Sequence, residues 1–592
     1  MQHTPATNYS TSVQTESPAP AINRLTVEVV LYGALALLAL GLRLFHLGNT
    51  PLNDAEAAQA LAALDIFRGA PAPGGLYSPL AATLNSFTFL LFNPSDWGVR
   101  LAPALLGSAL VVLPFGLRRQ LGRAGALAAS ALLALSATTL FWSRTAAGDI
   151  AAAVGMLLLV VGGVNWAAED WPHGLNVVAV GLVLLVLGAP VGYTALASLA
   201  LLLAIIGLTD RAGAARLQER LSAAGPALRR AGALFGGLLL LLATAASFNL
   251  TGLGAASEVF SLWLAQFGLQ PQPGADAPVI LMLVFYEPLI VLFGVIGLIA
   301  AVWNRRPFEW LLAAWAALVI LLDFFMAGRS GGQMLAAVVP LALLAGKQIG
   351  WLAEAWQARA RLDAEGIYLA IGLIVSAFVY ISFASWSKCT PAQAGCQTAW
   401  VLPLAGVLLL AGLAIIFWVW YGPQLTWRGV GMVLLVTVGI FSMGAAWRLS
   451  FGPPEEAPFQ PMVQLPPSTR LPVLLNDLAR LSAERVGDDR LIDIAVVKIN
   501  SPMLRWYLRR FDRVRFEDDF VSAGDASIIL ARPDAGPPPA GAYVGQEFAL
   551  VSHWSPNLLQ GKDWLRWYMY RTLPNHLPGS DQVVMWVRVD NQ

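Results

Sequence analysis

The chain has 592 residues, 57% of them apolar or aromatic and only 12% charged. A soluble protein carries about 25% charged residues, so this composition excludes a cytosolic enzyme, a disordered scaffold and a nucleic-acid binder. Lys plus Arg number 37 against 36 Asp plus Glu, and there are two cysteines, which leaves no global field for a polyanion and too few thiols for a disulfide scaffold or a zinc ribbon.

Residues 1–23 are rich in Ser, Thr, Pro, Ala and Gln without apolar periodicity, and predict a disordered cytoplasmic tail. The first apolar run, Leu25 to Leu44, is long enough for a bilayer core, which needs about 20 helical residues. It begins too far from the amino end for a secretory signal. Further runs fall at 99–117, 124–141, 149–165, 175–188, 191–207, 231–247, 279–302, 310–327, 334–352, 367–385, 398–420 and 429–447. The pattern predicts a polytopic α-helical membrane region over 24–447 with about thirteen spans. The weakest boundary is the break Gly188-Ala189-Pro190.

Charge orients these spans. With the tail inside, Arg118, Arg119, Arg123, Arg211, Arg216, Arg220, Arg229, Arg230, Arg305, Arg306, Arg359, Arg361 and Arg428 all lie on the cytoplasmic side. The opposite loops hold only Arg68, Arg144, Arg329 and Lys388. That asymmetry predicts that 46–98, 142–148, 248–278 and everything after Arg448 are extracytoplasmic. Cys389 and Cys396 share one such outer loop, where a disulfide is the expected state.

After Trp447 the composition changes. Residues 448–468 form a Pro-rich linker, and 469–592 alternate helical and strand-like runs, predicting a small α/β domain. Two near-repeats, LRWYLRR and LRWYMYR, carry Trp506, Tyr507, Trp567 and Tyr568. They read either as sugar-stacking platforms or as an aromatic belt on the bilayer.

The outer loops carry the informative charges. Asp54 and Glu56 follow a Pro-Leu-Asn turn at a helix start, where acids also serve as ordinary caps. Asp149 opens the span after Arg144 and fits the same capping role. Two such carboxylates over one cavity can hold a divalent cation, Mg or Mn, or one can deprotonate a hydroxyl. Glu287, beside Tyr286, and Asp323 sit at membrane depth, where an unpaired acid costs about 2.5–3.5 kcal/mol. Both therefore face the bundle interior. The long loop 248–278 suits a lid or an interfacial helix, and Asn249-Leu250-Thr251 matches a glycosylation sequon.

Four motifs in order carry a family resemblance: Asp54-Ala55-Glu56, Tyr77-Ser78-Pro79-Leu80, Arg100 to Pro103, and Ser143-Arg144 with Asp149. They resemble the amino-terminal signature of GT-C glycosyltransferases of family 39, the group of protein O-mannosyltransferases and the lipid A aminoarabinose transferase. The match is good over 40–165, and the acidic pair usual in the family is split here by Ala55. The resemblance implies transfer of a sugar from a polyprenyl-phosphate donor to a glycan, lipid or protein hydroxyl at the outer membrane face, with inversion. It implies Asp54 or Glu56 as the catalytic carboxylate and Asp149 as its helper or as a metal ligand. Such a phosphate needs a cation near the outer boundary, for which Arg144 and Arg329 are the candidates. Tyr77 is a candidate substrate contact in its motif, and the membrane-depth residues Tyr286 and Glu287 are expected to contact substrate, or Glu287 to pair with an arginine. The rival readings are a transporter or flippase component and a glycan-ligating enzyme; no inverted repeat favours the first.

The topology is open to direct test. A reporter active only in the cytoplasm, fused after Asn591, is expected to stay silent; strong activity reverses the orientation.

Overall fold

The computed structural model describes residues 26–589 except 71, 73–76, 169–172, 269–277, 360–361, 390–394, 537, 539–542, 554–558, 560, 572 and 574–577. The expected tail 1–23 and residues 269–277 of the loop 248–278 lie outside the described residues. Among the described residues ten helices are long and apolar enough to cross a membrane, from Val27–Leu44 to Pro423–Phe451, as expected of a multi-pass membrane protein. A pair bent by 115° at its break, Val279–Tyr286 and Pro288–Asn304, makes an eleventh if it is one span. The expected count of thirteen includes two runs that form only shorter helices. The run 175–188 is the 15-residue helix Gly174–Gly188. The run 124–141 divides at Ser136 into Arg123–Leu135 and Ala137–Trp142.

That division and the bend are one feature. Pro288 has no N–H to continue the preceding helix, and Glu287 turns inward, 2% exposed. Its carboxylate accepts from Ser136 Oγ at 2.5 Å and from the Thr138 amide at 2.7 Å. One buried acid thus takes the Thr138 amide at the amino end of Ala137–Trp142, where Ser136 Oγ caps the Thr139 amide.

The helices Asp149–Ala167 and Gly174–Gly188 run antiparallel with their backbones in contact. Gly148, Gly155 and Gly162, seven residues apart, face Gly188, Gly181 and Gly174. A Cβ on Gly155 would lie 2.7 Å from the Gly181 carbonyl oxygen, and one on Gly162 would lie 2.6 Å from that of Gly174. At Gly148 the distance to the Gly188 oxygen falls to 1.9 Å. Lipid is as apolar as a leucine side chain, so helices in it associate through close van der Waals fit, and small residues permit that fit. The ladder brings Gly188-Ala189-Pro190 to the same end of the bundle as Asp149.

The carboxyl-terminal part holds a five-stranded sheet, β1 (Ile494–Val497), β2 (Val514–Glu517), β3 (Ile528–Ala531), β4 (Tyr543–His553) and β5 (Gly579–Arg588), in the order β2-β1-β3-β5-β4. β1 pairs in parallel with β2 and β3, while β5 pairs antiparallel with β3 and β4. The central strands are buried on both faces, as parallel pairing requires. On one face Ile494 and Val496 pack with Leu474, Leu478 and Trp506, and this core continues into Leu52, Ala57, Ala60, Phe89 and Ala146 of the bundle's loops. The sheet unit is therefore docked on the first loop by a shared apolar core. Trp506 and Trp567 are each 0% exposed, so neither forms the sugar platform nor the bilayer belt expected of it. Cys389 and Cys396 are joined as a disulfide with Cα atoms 5.6 Å apart.

The ladder makes a prediction with an internal control. Gly163 has nothing within 4 Å of an added Cβ. Gly155→Leu should lower stability by at least about 1–3 kcal/mol through overpacking, and Gly163→Leu should leave detergent melting unchanged. Equal melting of the two variants removes the ladder as a constraint.

Candidate functional site

Five chain segments converge around Asp149. It begins the helix Asp149–Ala167 and is 9% exposed. Gly332 presses against it: an added Cβ there would stand 1.9 Å from Asp149 Oδ1. The next residue, Gln333, donates through Nε2 to Gln266 Oε1 at 2.8 Å, while its own Oε1 is buried without a hydrogen bond among the described residues. The Gln266 carbonyl accepts from the amides of Ala327 and Gly328, closing the end of the helix Gly252–Ala265 onto the segment 327–333. On the other side Gly148 lies against Ser78, whose Oγ donates to the Leu187 carbonyl at 3.0 Å and whose amide donates to Gln59 Oε1 at 2.9 Å. Among the described residues, nothing beyond its own helix amide bonds the Asp149 carboxylate, and no cation pairs with it.

The other two acids are engaged. Glu56 Oε1 accepts from Arg100 Nε at 2.8 Å and from the Ala146 amide at 2.9 Å. Its Oε2 accepts from Arg100 Nη2 at 2.7 Å and from the Asn53 amide at 3.3 Å, completing a capping box with Asn53. Arg100 also donates to the carbonyls of Leu47, Thr50 and Pro51. Asp54 points the other way. Its Oδ1 accepts from Ser501 Oγ at 2.7 Å and from the Met503 amide at 2.9 Å, both at the start of the helix Pro502–Leu508 in the sheet unit. The expected joining of Asp54 with Asp149 over one cavity does not match this placement. Among the described residues no group of three or more His, Cys, Asp or Glu is placed to hold a metal ion. The Asp54 carboxylate is spent on the neighbouring unit, so the donor set does not fit the expected Mg or Mn.

The cations part company as well. Arg144 donates to the carbonyls of Leu42, Arg43, Phe45 and His46 and lies 4.4 Å over the Phe451 ring. It thereby closes the carboxyl end of Val27–Leu44, where free carbonyls and the helix dipole favour a cation. Arg329 stands on the Gly332 segment. Its Nε donates to the Asp323 carbonyl at 3.2 Å and lies 3.5 Å from Asp323 Oδ2. Its terminal nitrogens have no partner among the described residues.

The remaining expected contacts are internal. Tyr77 Oη accepts from Asn249 Nδ2 at 3.2 Å, and Asn249 is 2% exposed, which contradicts the sequon as a glycosylation acceptor. Tyr286 Oη donates to Gln460 Oε1 at 3.0 Å. Glu287 caps the broken helix as described above. Sequence reasoning missed Gln59, Gln266, Gln333 and Gly332. The diglycine Gly331-Gly332 after Arg329 was the available signal, since paired glycines mark a place where backbone comes close to another group.

No family model matches the chain, and no curated protein matches it by sequence. Solved structures do match. ArnT from Cupriavidus metallidurans bound to undecaprenyl phosphate superposes with a TM-score of 0.54 at 16% identity, covering 94% of this chain and 97% of that one. The apo form of the same protein gives 0.53 at 16% identity over the same shares. An apo oligosaccharyltransferase from Archaeoglobus fulgidus gives 0.47 at 11% identity, covering 86% of this chain and 70% of that one. At these identities the likeness is one of fold, and over nearly its whole length the chain has the GT-C fold.

Proposed function

We propose that the protein is a membrane glycosyltransferase that moves a sugar from a polyprenyl-phosphate donor to an acceptor hydroxyl at the outer membrane face. The observation that carries this reading is Asp149: a nearly buried carboxylate with no ion-pair partner among the described residues, beside the segment that bears Arg329. The GT-C fold supports it, as does the undecaprenyl phosphate bound in the ArnT structure.

The proposed chemistry uses few groups. The Asp149 carboxylate accepts the proton of the acceptor hydroxyl as its oxygen attacks the anomeric carbon. The bond from that carbon to the phosphate oxygen breaks, and the configuration inverts. The leaving phosphate gains charge, which the terminal nitrogens of Arg329 stabilise. Gln266 and Gln333 hold the Gly332 segment against Asp149, and Gln333 Oε1 is an acceptor for a sugar hydroxyl. Glu56 serves as a structural clamp, because Arg100, Ala146 and Asn53 already donate to its oxygens.

Sugar transfer from a polyprenyl-phosphate donor, measured in membranes with a labelled sugar, tests the assignment. Asp149→Asn should cut the rate by about 10²–10⁴ with melting near wild type. Gly332→Ala should act through Asp149, since its methyl group displaces the carboxylate; a misplacement of about 1 Å costs on the order of 10²-fold. Full activity of both variants sinks the site. A separate measurement addresses the phosphate. Arg329→Gln removes a charge-assisted bond of about 1.5–3 kcal/mol, so donor KM should rise by about tenfold or more. An unchanged KM assigns the phosphate elsewhere.

A further inference from the structure

We propose that the sheet unit positions the reacting carboxylate: the helix Pro502–Leu508 grips the first loop through Asp54 and Asp96, and Glu56 passes that constraint to the segment before Asp149. In this arrangement Asp54 is a positioning residue. The effect on sugar transfer rests on the function proposed above, whereas the linkage itself is a matter of geometry.

The grip has three polar points. Asp54 takes two hydrogen bonds from the start of Pro502–Leu508, as described above. Asp96 accepts from Trp506 Nε1 at 2.8 Å and from Tyr507 Oη at 2.6 Å. The same Tyr507 oxygen accepts from the Leu52 amide at 2.7 Å, one residue before the capping turn at Asn53. Burial and the adjacent Asp96 carboxylate both push the Tyr507 phenol well above its ordinary value, so it remains a donor at any physiological pH. Trp506 stacks on Phe89 with centroids 6.2 Å apart, and Arg509 donates to the Pro94 carbonyl at 3.1 Å.

The second half of the linkage is short, two stretches of chain joined by one hydrogen bond. Asp54 and Glu56 lie one turn apart or less on the helix Asp54–Phe67. Glu56 holds the Ala146 amide, and Asp149 follows three residues later. A helix moved at Asp54 carries Glu56 with it and releases the 142–149 segment from its anchor. General adhesion between two units would need no such route: the shared apolar core already supplies it. The polar contacts instead fix register, because each requires a specific donor opposite a specific acceptor.

Two variants of the full-length protein in detergent separate this from a catalytic role for Asp54. Asp54→Ala removes the acceptor of both Ser501 and Met503. Asp54→Asn keeps an amide oxygen in the same place and so keeps both bonds. Hydrogen exchange is read by mass spectrometry on peptides covering 54–67 and 142–149, with 155–167 as the membrane-embedded control. In Asp54→Ala, exchange of the first two should rise by about tenfold or more, the loss expected from bonds to a charged acceptor, and the control should not change. Transfer should fall on the order of 10²-fold in Asp54→Ala and less than about tenfold in Asp54→Asn. Ser501→Ala added to Asp54→Ala should cost little more, since the two share one contact. If Asp54→Ala fails to accumulate, Tyr507→Phe removes the Leu52 and Asp96 bonds and should raise exchange of the same two peptides. Unchanged exchange at 142–149 in the variant that is made overturns the proposal. So does an Asp54→Asn protein that loses about 10²-fold or more, as a missing base would, with wild-type exchange. A wild-type protein that transfers no sugar overturns the proposed function instead, and the exchange data still decide the positioning.

Discussion

A carboxylate taken out of water costs several kcal/mol unless donors replace the water it loses, and Glu56 is where this protein meets that demand most fully. Its side chain is 6% exposed, the Arg100 side chain facing it 5%. Four N–H groups from three chain segments converge on its two oxygens. Arg100 in turn gathers the carbonyls of Leu47, Thr50 and Pro51. Removing one partner from such a pair costs about 3–5 kcal/mol, because the other charge stays buried alone. The first loop, the second span and the Ala146 segment are therefore fixed relative to one another by one ion pair. The proposed site is built around that fixed point.

Backbone contact does for the spans what the ion pair does for the loops. The glycine ladder sets the separation and register of Asp149–Ala167 and Gly174–Gly188, and at its end Gly148 meets Gly188 and Ser78. Gly332 presses on Asp149 from the opposite side. With Gly332 this close the Asp149 carboxylate has little room on that side, and no bulkier residue fits at Gly148 or at Gly332 without a shift of its neighbours. The same economy appears at Glu287, where one acid caps one helix at the point where another bends.

Three acids of similar appearance in sequence thus have three different surroundings. Asp54, Glu56 and Asp149 each begin a helix after a turn, and each reads as a cap or as a base. Glu56 does act as part of a capping box, but its larger role is with Arg100. Asp54 serves the helix Pro502–Leu508, whose Ser501 lies 447 residues along the chain. Asp149 alone is left with an uncommitted carboxylate among the described residues. Arg144 and Arg329 diverge in the same manner, one closing a helix end with four carbonyls and one on the segment that bears Gly332 with, among the described residues, only its Nε engaged, at Asp323. The two Trp-Tyr repeats likewise look like exposed binding surfaces, and both tryptophans are core.

The amino-acid sequence by itself determined the properties that depend on local composition. Long apolar runs must become membrane helices because no water satisfies their backbone there. The fall in apolar content after Trp447 and the alternating runs beyond it marked the sheet unit, and the motif order between Asp54 and Asp149 was enough to suggest the GT-C fold. Helix breaks were less legible: Ser136 sits in a continuous apolar run, and its acceptor, Glu287, lies 151 residues away. Which carboxylate stays free was decided only by tertiary structure. An acid's chemistry depends on whether donors fill its lone pairs, and those donors come from Arg100, Ala146, Ser501 and Met503, brought to it by folding from distant parts of the chain.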